Sequence, residues 1–192
     1  MANSVKILAL AGSLRAASFN KRLARLAAAA AERAGAQVIF VDLKDYSLPV
    51  FDEDLERQGT PDEAKRLKQQ FVEHDGFLIS SPEYNSSISG ALKNAIDWVS
   101  RPAPGEPPLV GFTGKTAALM SASPGVLGGL RGLVHVRQIL GNIGVLVLPD
   151  QHSVARAHEA FADNGSLKDS AQQAKIEKIA TRLVEVLQKL KS

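Results

Sequence analysis

The stretch VKILALAGSLRAASFN, Val5–Asn20, joins a buried strand to the start of a helix. Its apolar residues stop at Gly12, which predicts a short buried strand over Val5–Ala11. A helical pattern follows over Phe19–Ala34, with an apolar face and Gly35 as its C-terminal cap. Hydroxyl groups, an arginine and an asparagine occupy the turn between the two elements. The stretch therefore predicts a strand, a donor-rich loop and a helix in succession.

The rest of the chain repeats this alternation of strands and helices. Further strands are predicted over Gln37–Leu43, Gly76–Ser80, Lys115–Ser121 and Val145–Leu148, and further helices over Pro61–His74, Ser89–Ser100, Gly128–Leu140 and Leu167–Leu190. We expect Tyr46–Thr60 to be irregular and the proline-rich Arg101–Pro108 to form a stiff surface loop. Five alternating strands predict an α/β protein, a single domain over residues 1–192 with a parallel sheet and helices on both faces.

Composition excludes several classes of protein. With 192 residues and 45% hydrophobic residues the chain can bury a sizeable core, and no cysteine is present to form disulfides, thiolate metal sites or a cysteine nucleophile. No apolar run is long enough to span a membrane and no signal peptide is recognisable, so we expect a cytoplasmic protein without a membrane partner. The net charge of +3 comes from scattered residues, which argues against nucleic acid and is compatible with anionic small molecules. The four histidines show no metal-binding spacing, so we expect no metal site.

Three loops follow strands at the edge where parallel sheets bind ligands. The first, Gly12–Asn20, opens a helix, and a helix N-terminus attracts anions. Ser13 and Ser18 add hydroxyl donors, and Arg15 adds a charged fork suited to a terminal phosphate. The alternative is a plain helix cap, in which Ser18 caps the helix and Arg15 lies in solvent.

The second and third loops have features that suit a flat ligand. Ser81–Ser89 contains a proline and a tyrosine face, although an ordinary structured turn explains it equally well. In Ser121–Gly129 the glycines Gly125, Gly128 and Gly129 would let the backbone approach a ring. The helix that follows would offer its N-terminus to negative charge on a reduced ring. A flexible loop before a helix is the alternative here.

Two motifs together resemble the NADPH-dependent FMN reductase family, which includes chromate, quinone and azo reductases. They are GSLR-x-x-SFN after the first strand and PEYN-x-S-x-x-G-x-LKNAIDW after the third. The similarity covers most of Val5–Leu148, and no motif is matched beyond about Pro149. The resemblance implies a flavodoxin-like three-layer sandwich with strand order 2-1-3-4-5. It also implies FMN as cofactor and NADPH or NADH as co-substrate.

The resemblance assigns roles to particular positions. Ser13, Arg15, Ser18 and Asn20 would hold the FMN phosphate. The isoalloxazine ring would be lined by Pro82, Glu83, Tyr84 and Asn85, largely through backbone amides. Ser121 and Gly125 would close the other side of the ring or of the ribityl chain. Arg101 would meet NADPH or an anionic substrate at the open face of the ring, or would simply be a solvated loop arginine.

The function implied is an oxidoreductase that passes a hydride from NAD(P)H to FMN and then electrons to a small-molecule acceptor. Acceptors in the family include quinones, azo dyes, free flavins and chromate. The cofactor carries the chemistry, so no catalytic acid or base is expected. Family members form homodimers or homotetramers, and Ile96 and Trp98 suit either such an interface or packing on the sheet. A flavodoxin-type electron carrier and a non-catalytic FMN-binding protein are the alternatives.

Overall fold

The computed structural model describes residues 4–191. The strands are β1 (Lys6–Ala11), β2 (Gln37–Asp42), β3 (Gly76–Ser80), β4 (Glu83–Tyr84), β5 (Ser87–Ile88), β6 (Thr116–Ala122) and β7 (Leu146–Val154). The helices are α1 (Phe19–Arg33), α2 (Glu53–Gln58), α3 (Asp62–Glu73), α4 (Gly90–Val99), α5 (Leu130–Asn142), α6 (Ala157–Ala160) and α7 (Ser170–Lys191). A short 3₁₀ turn covers Leu43–Asp45.

The large sheet is parallel throughout and has the order β2-β1-β3-β6-β7. Counted among themselves, these five strands run 2-1-3-4-5, which confirms the flavodoxin-like arrangement expected from the sequence. The chain order reverses between β1 and β3, because β2 lies outside β1. Loops that leave the carboxyl ends of β1 and β3 therefore diverge around a crevice.

Two apolar layers cover the sheet, one on each face. On one face, α1 and α7 pack against β-strand side chains that include Ile7, Ala9 and Met120. On the other face, α3, α4 and α5 pack against side chains that include Leu8 and Phe77. This division confirms the expectation of helices on both sides of a buried parallel sheet.

The strand before Pro149 is longer than predicted. The sequence places its end at Leu148, whereas β7 continues to Val154. The pairing of β7 with β6 shifts register between Ala117 and Leu119 of β6, because Pro149 of β7 has no N–H to donate. Regular pairing resumes after Pro149. The extension carries the chain to the carboxyl edge of the sheet, beside the loop after β6.

The segment predicted to be irregular contains a helix. Asp52 caps α2 by accepting a hydrogen bond from the amide of Asp54 at 2.7 Å, and acidic residues fill its first turn. This segment lies against α4, where the Trp98 indole donates to the carbonyl of Pro49 at 2.8 Å. Trp98 is 1% exposed and Ile96 4% exposed, so both pack within the chain itself.

No helix within residues 4–191 combines the length and apolar character needed to cross a membrane.

Candidate functional site

The loops after β1, β3 and β6 meet at the carboxyl edge of the sheet and enclose a cavity of about 90 Å³. It is lined by Ser13, Arg15, Ser18, Phe19, Asn20, Pro82, Glu83, Tyr84, Ala122, Ser123 and Pro124. Seven of these residues belong to the set predicted from the sequence. The other three predicted residues, Asn85, Ser121 and Gly125, are chain neighbours of lining residues. The fold thus brings the three loops together as the sequence predicted.

The first loop offers hydroxyl and guanidinium donors to this cavity. The hydroxyl oxygen of Ser13 accepts the amide of Arg15 at 3.4 Å, and that of Ser18 accepts the amide of Lys21 at 3.4 Å. Each hydroxyl thereby keeps its hydrogen for a ligand. The exposed Arg15 side chain makes no hydrogen bond or ion pair with any described residue. Ser18 therefore caps α1, as the helix-cap alternative predicted, and its hydroxyl can still donate a hydrogen bond to a ligand.

The N-terminus of α1 adds two backbone donors. The amides of Phe19 and Asn20 make no hydrogen bond within residues 4–191. Both residues line the cavity, and the partial positive charge of the helix end lies behind them. Free amides, hydroxyls and one arginine form the type of site that holds a phosphate.

The side chain of Asn20 is committed elsewhere. Its carboxamide bonds both the N–H and the C=O of Ala122 and also accepts from Ser80. Asn20 thus lies at the predicted position, but only one of its side-chain hydrogens is left for a ligand.

The second loop is a β-hairpin formed by β4 and β5. Asn85 and Ser86 form its two-residue turn, with φ of 49° and 67°. Positive φ at both positions gives the turn a twist that matches the flanking strands. The hairpin presents Tyr84, 50% exposed, beside the cavity. The second loop is thus a structured turn, which was the alternative to a ligand-binding loop. The ring of Tyr84 nevertheless remains exposed.

The carboxylate of Glu83 ties the hairpin to α5. It accepts hydrogen bonds from the amides of Arg131 at 3.0 Å and Gly132 at 3.2 Å, and from Arg131 Nε at 2.7 Å. Burial raises the pKa of Glu83, but the bonds to Arg131 and Gly132 outweigh it and hold the pKa below its ordinary value. The carboxylate is therefore committed to the start of α5, although Glu83 lines the cavity.

Two features of the third loop have partners within the chain. At the N-terminus of α5, the amides of Arg131 and Gly132 already donate to the carboxylate of Glu83, so the positive end of the helix is paired with a negative charge of the protein itself. Gly128 and Gly129 serve packing within the chain. A Cβ on Gly128 would lie 2.8 Å from the backbone of Val154, and one on Gly129 would lie 2.9 Å from Ser121. Only the exposed Gly125 leaves open space for a ligand.

Sequence reasoning missed residues that tertiary contacts bring to the cavity. Ser123 donates its amide to Val154 at 3.1 Å and accepts from the amide of Ala157 at 3.0 Å, so the end of β7 braces the third loop. Phe19 stacks on Phe161 with ring centroids 6.1 Å apart. No sequence motif marks this segment beyond Pro149. The only available signal was its position after a predicted strand.

Arg101 lies outside this site in the single chain. It follows α4, whose ten residues lead away from the binding edge over about 15 Å. Its Nε donates to Glu56 at 2.7 Å, and the residue lines a second cavity of about 640 Å³. The two cavities share no lining residue in the described part of the chain.

Comparison with known proteins identifies the group to which these features belong. A sequence model of the NADPH-dependent FMN reductase family matches residues 5–159. An NAD(P)H-dependent FMN reductase of Pseudomonas aeruginosa is 38% identical over 173 residues, which cover 88% of each chain. A quinone reductase of Pseudomonas putida is 34% identical over 186 residues, covering 94% of this chain and 96% of its own.

A solved structure extends the comparison to three dimensions. The flavoenzyme FerB of Paracoccus denitrificans, an NAD(P)H:(acceptor) oxidoreductase, superposes with a TM-score of 0.79 at 30% identity. The match covers 96% of this chain and 98% of FerB. The parallel sheet, the phosphate-type cavity at its edge and these relatives lead to one conclusion: the chain belongs to the NADPH-dependent FMN reductase family.

Proposed function

We propose that this protein is an FMN-dependent oxidoreductase that uses NADPH or NADH to reduce quinones. The observation that carries the proposal is the donor-lined cavity at the edge of the sheet, in a chain of the FMN reductase family. Quinone is the first acceptor to test, because a quinone reductase is among the similar proteins. Azo compounds, free flavins and chromate are further candidate acceptors.

The phosphate of FMN would bind in the first loop. Ser13, Arg15 and Ser18 would donate from their side chains, and Asn20 would donate from its backbone amide at the N-terminus of α1. The cavity of about 90 Å³ suits the phosphate end of the cofactor alone, since pockets for whole drug-sized ligands are roughly 300–1,000 Å³. The ring would therefore extend into the open space beside the hairpin.

The ring would lie between the second and third loops. Pro82, Glu83, Tyr84 and Asn85 would line one side, and Ser121 and Gly125 would lie on the other. Ser121 donates its hydroxyl to the carbonyl of Gly128 at 2.7 Å, so it would act by holding the third loop in shape. When bound, FMN supplies the two-electron chemistry between the nicotinamide and the acceptor. The chain supplies binding, orientation and an open face for the substrates.

Arg101 is the candidate contact for NAD(P)H or an anionic substrate. Because it lies in a different cavity from the FMN loops, it would reach a flavin only from a second subunit. We therefore propose a homodimer or homotetramer in which this contact crosses between subunits. Ile96 and Trp98 are buried in their own chain, so the interface would use other residues of this region.

We further propose that residues 1–192 form one FMN-binding domain and that the protein works in the cytoplasm. A chain without cysteines, acting with a reduced nicotinamide, fits a reducing compartment.

The test is an anaerobic titration of the purified protein with NADPH and, separately, with NADH. We expect the visible absorption of bound FMN to bleach within seconds and to return when a benzoquinone is added, with steady turnover. A flavin that remains oxidised with both nucleotides would indicate a carrier or a structural flavin. A protein that does not retain FMN at all would overturn the cofactor assignment itself.

A further inference from the structure

Asn20 connects two loops of the FMN site through its side chain. It is the second residue of α1 and is 3% exposed. Its Nδ2 donates to the carbonyl of Ala122 at 2.8 Å, and its Oδ1 accepts from the amide of Ala122 at 2.9 Å. The hydroxyl of Ser80, also fully buried, donates to the same Oδ1 at 2.9 Å.

These partners determine how the carboxamide is oriented. A backbone N–H only donates and a backbone C=O only accepts, so Oδ1 must face the amide of Ala122 and Nδ2 its carbonyl. Oδ1 then uses both of its acceptor sites and Nδ2 uses one of its two hydrogens. Turning the side chain toward a ligand would break three buried hydrogen bonds.

The arrangement completes the sheet where β3 leaves it. The ladder between β3 and β6 runs as far as the bond from the amide of Ser81 to the carbonyl of Met120, at 2.9 Å. The chain then turns at Pro82, which has no N–H, and Ala122 loses its strand partner on that side. The Asn20 carboxamide takes the place of the missing peptide group and satisfies both polar atoms of Ala122.

We call the hydrogen bonds of the Asn20 carboxamide to Ala122 and Ser80 the Asn20 bracket. Its position indicates a role in cofactor binding. Asn20 belongs to the helix that would hold the phosphate, whereas Ala122 begins the loop that would close over the ring. We propose that Asn20 is a positioning residue that sets the spacing between these two loops, and that its side chain is not a principal phosphate ligand. The inference rests on FMN binding at this site.

Two flavins distinguish the bracket from a phosphate contact, because riboflavin lacks the phosphate. We expect Asn20→Ala to weaken the binding of FMN and of riboflavin by the same factor, about tenfold. Quenching of flavin fluorescence measures both affinities. Arg15→Ala serves as the comparison and should weaken FMN alone. Weaker binding of FMN with unchanged binding of riboflavin would identify Asn20 as a phosphate ligand and overturn the proposal. Unchanged binding of both flavins would also overturn it.

Ser80→Ala is a milder variant that removes one hydrogen bond to Asn20 Oδ1, at a residue that does not itself line the cavity. We expect it to weaken both flavins by about threefold. Unchanged binding of both would contradict the proposal even if Asn20→Ala does not fold.

Hydrogen exchange of the Ala122 amide tests the bracket without any flavin. We expect this amide to be protected in the wild-type apoprotein and to exchange faster in Asn20→Ala, and equal rates would overturn the proposal. If the wild type binds no flavin, the proposed FMN site is wrong. The exchange rates would still show whether Asn20 holds Ala122 in place.

Discussion

Glu83 and Arg131 are joined twice, through the side chain and through the backbone. Arg131 Nε lies 2.7 Å from one carboxylate oxygen of Glu83, and the Arg131 amide lies 3.0 Å from the other. The contact links the hairpin beside the cavity at the sheet edge to the start of α5. It also pairs the positive end of that helix with a carboxylate of the chain itself.

The Glu83 contact predicts a pH-dependent loss of stability in Glu83→Gln. The folded pKa of Glu83 is lowered, so its contribution is complete above the ordinary pKa of about 4.3 and disappears as the pH falls through the folded value. We expect the variant to lose about 1 kcal/mol of unfolding free energy at pH 7, and progressively less as the pH falls through the lowered folded pKa of Glu83. Urea unfolding at several pH values measures this.

Glu63→Gln is the matched control, since Glu63 pairs with Arg66 on the exposed face of α3. We expect little change at any pH, because exposed pairs contribute little. A loss in Glu83→Gln that is constant with pH would show that packing, and not charge, holds the hairpin.

Arg15→Ala should weaken FMN binding at least about tenfold, because one charged hydrogen bond to the phosphate is lost. Arg22→Ala is the control: Arg22 is an exposed arginine on α1 that does not line the cavity. Calorimetric titration of the apoproteins with FMN gives both affinities. Equal affinities for wild type and Arg15→Ala would place the arginine away from the phosphate.

Lys21 and Asp42 form a largely buried ion pair, with Nζ and Oδ2 2.7 Å apart and side chains 7% and 22% exposed. Lys21→Met leaves Asp42 without its partner and should cost about 2–3 kcal/mol, somewhat less than for a fully buried pair. The double variant Lys21→Met/Asp42→Asn should recover most of the loss. Urea unfolding tests both, and a single variant as stable as wild type would contradict the prediction.

Arg101→Ala should raise the KM for NADPH severalfold and leave FMN affinity unchanged, because Arg101 lies in a cavity separate from the phosphate loop. Glu56→Gln removes the ion-pair partner and keeps the guanidinium, so its KM should change little. Steady-state kinetics and FMN titration separate the two effects. A weaker FMN affinity in Arg101→Ala would contradict the prediction, because it would show that Arg101 helps to hold FMN.

The fold class, and the loops that meet at one edge of the sheet, could be predicted from the sequence alone. Short continuous apolar runs that stop at glycine and helices of period 3.6 are local patterns, and parallel strands must place their following loops at one edge. Ser13, Arg15 and Ser18 were therefore recognisable from residue type and position alone.

Which of these polar groups remain free depends on tertiary contacts. Asn20 carries the residue type of a phosphate ligand, yet its carboxamide bonds to Ala122, more than a hundred residues away in the chain. The N-terminus of α5 follows a glycine-rich loop and suggests an anion site from the sequence, yet its amides bond to Glu83 in the folded chain. A hydrogen-bonding group has few bonds to give, and only the folded chain shows where they have already been used.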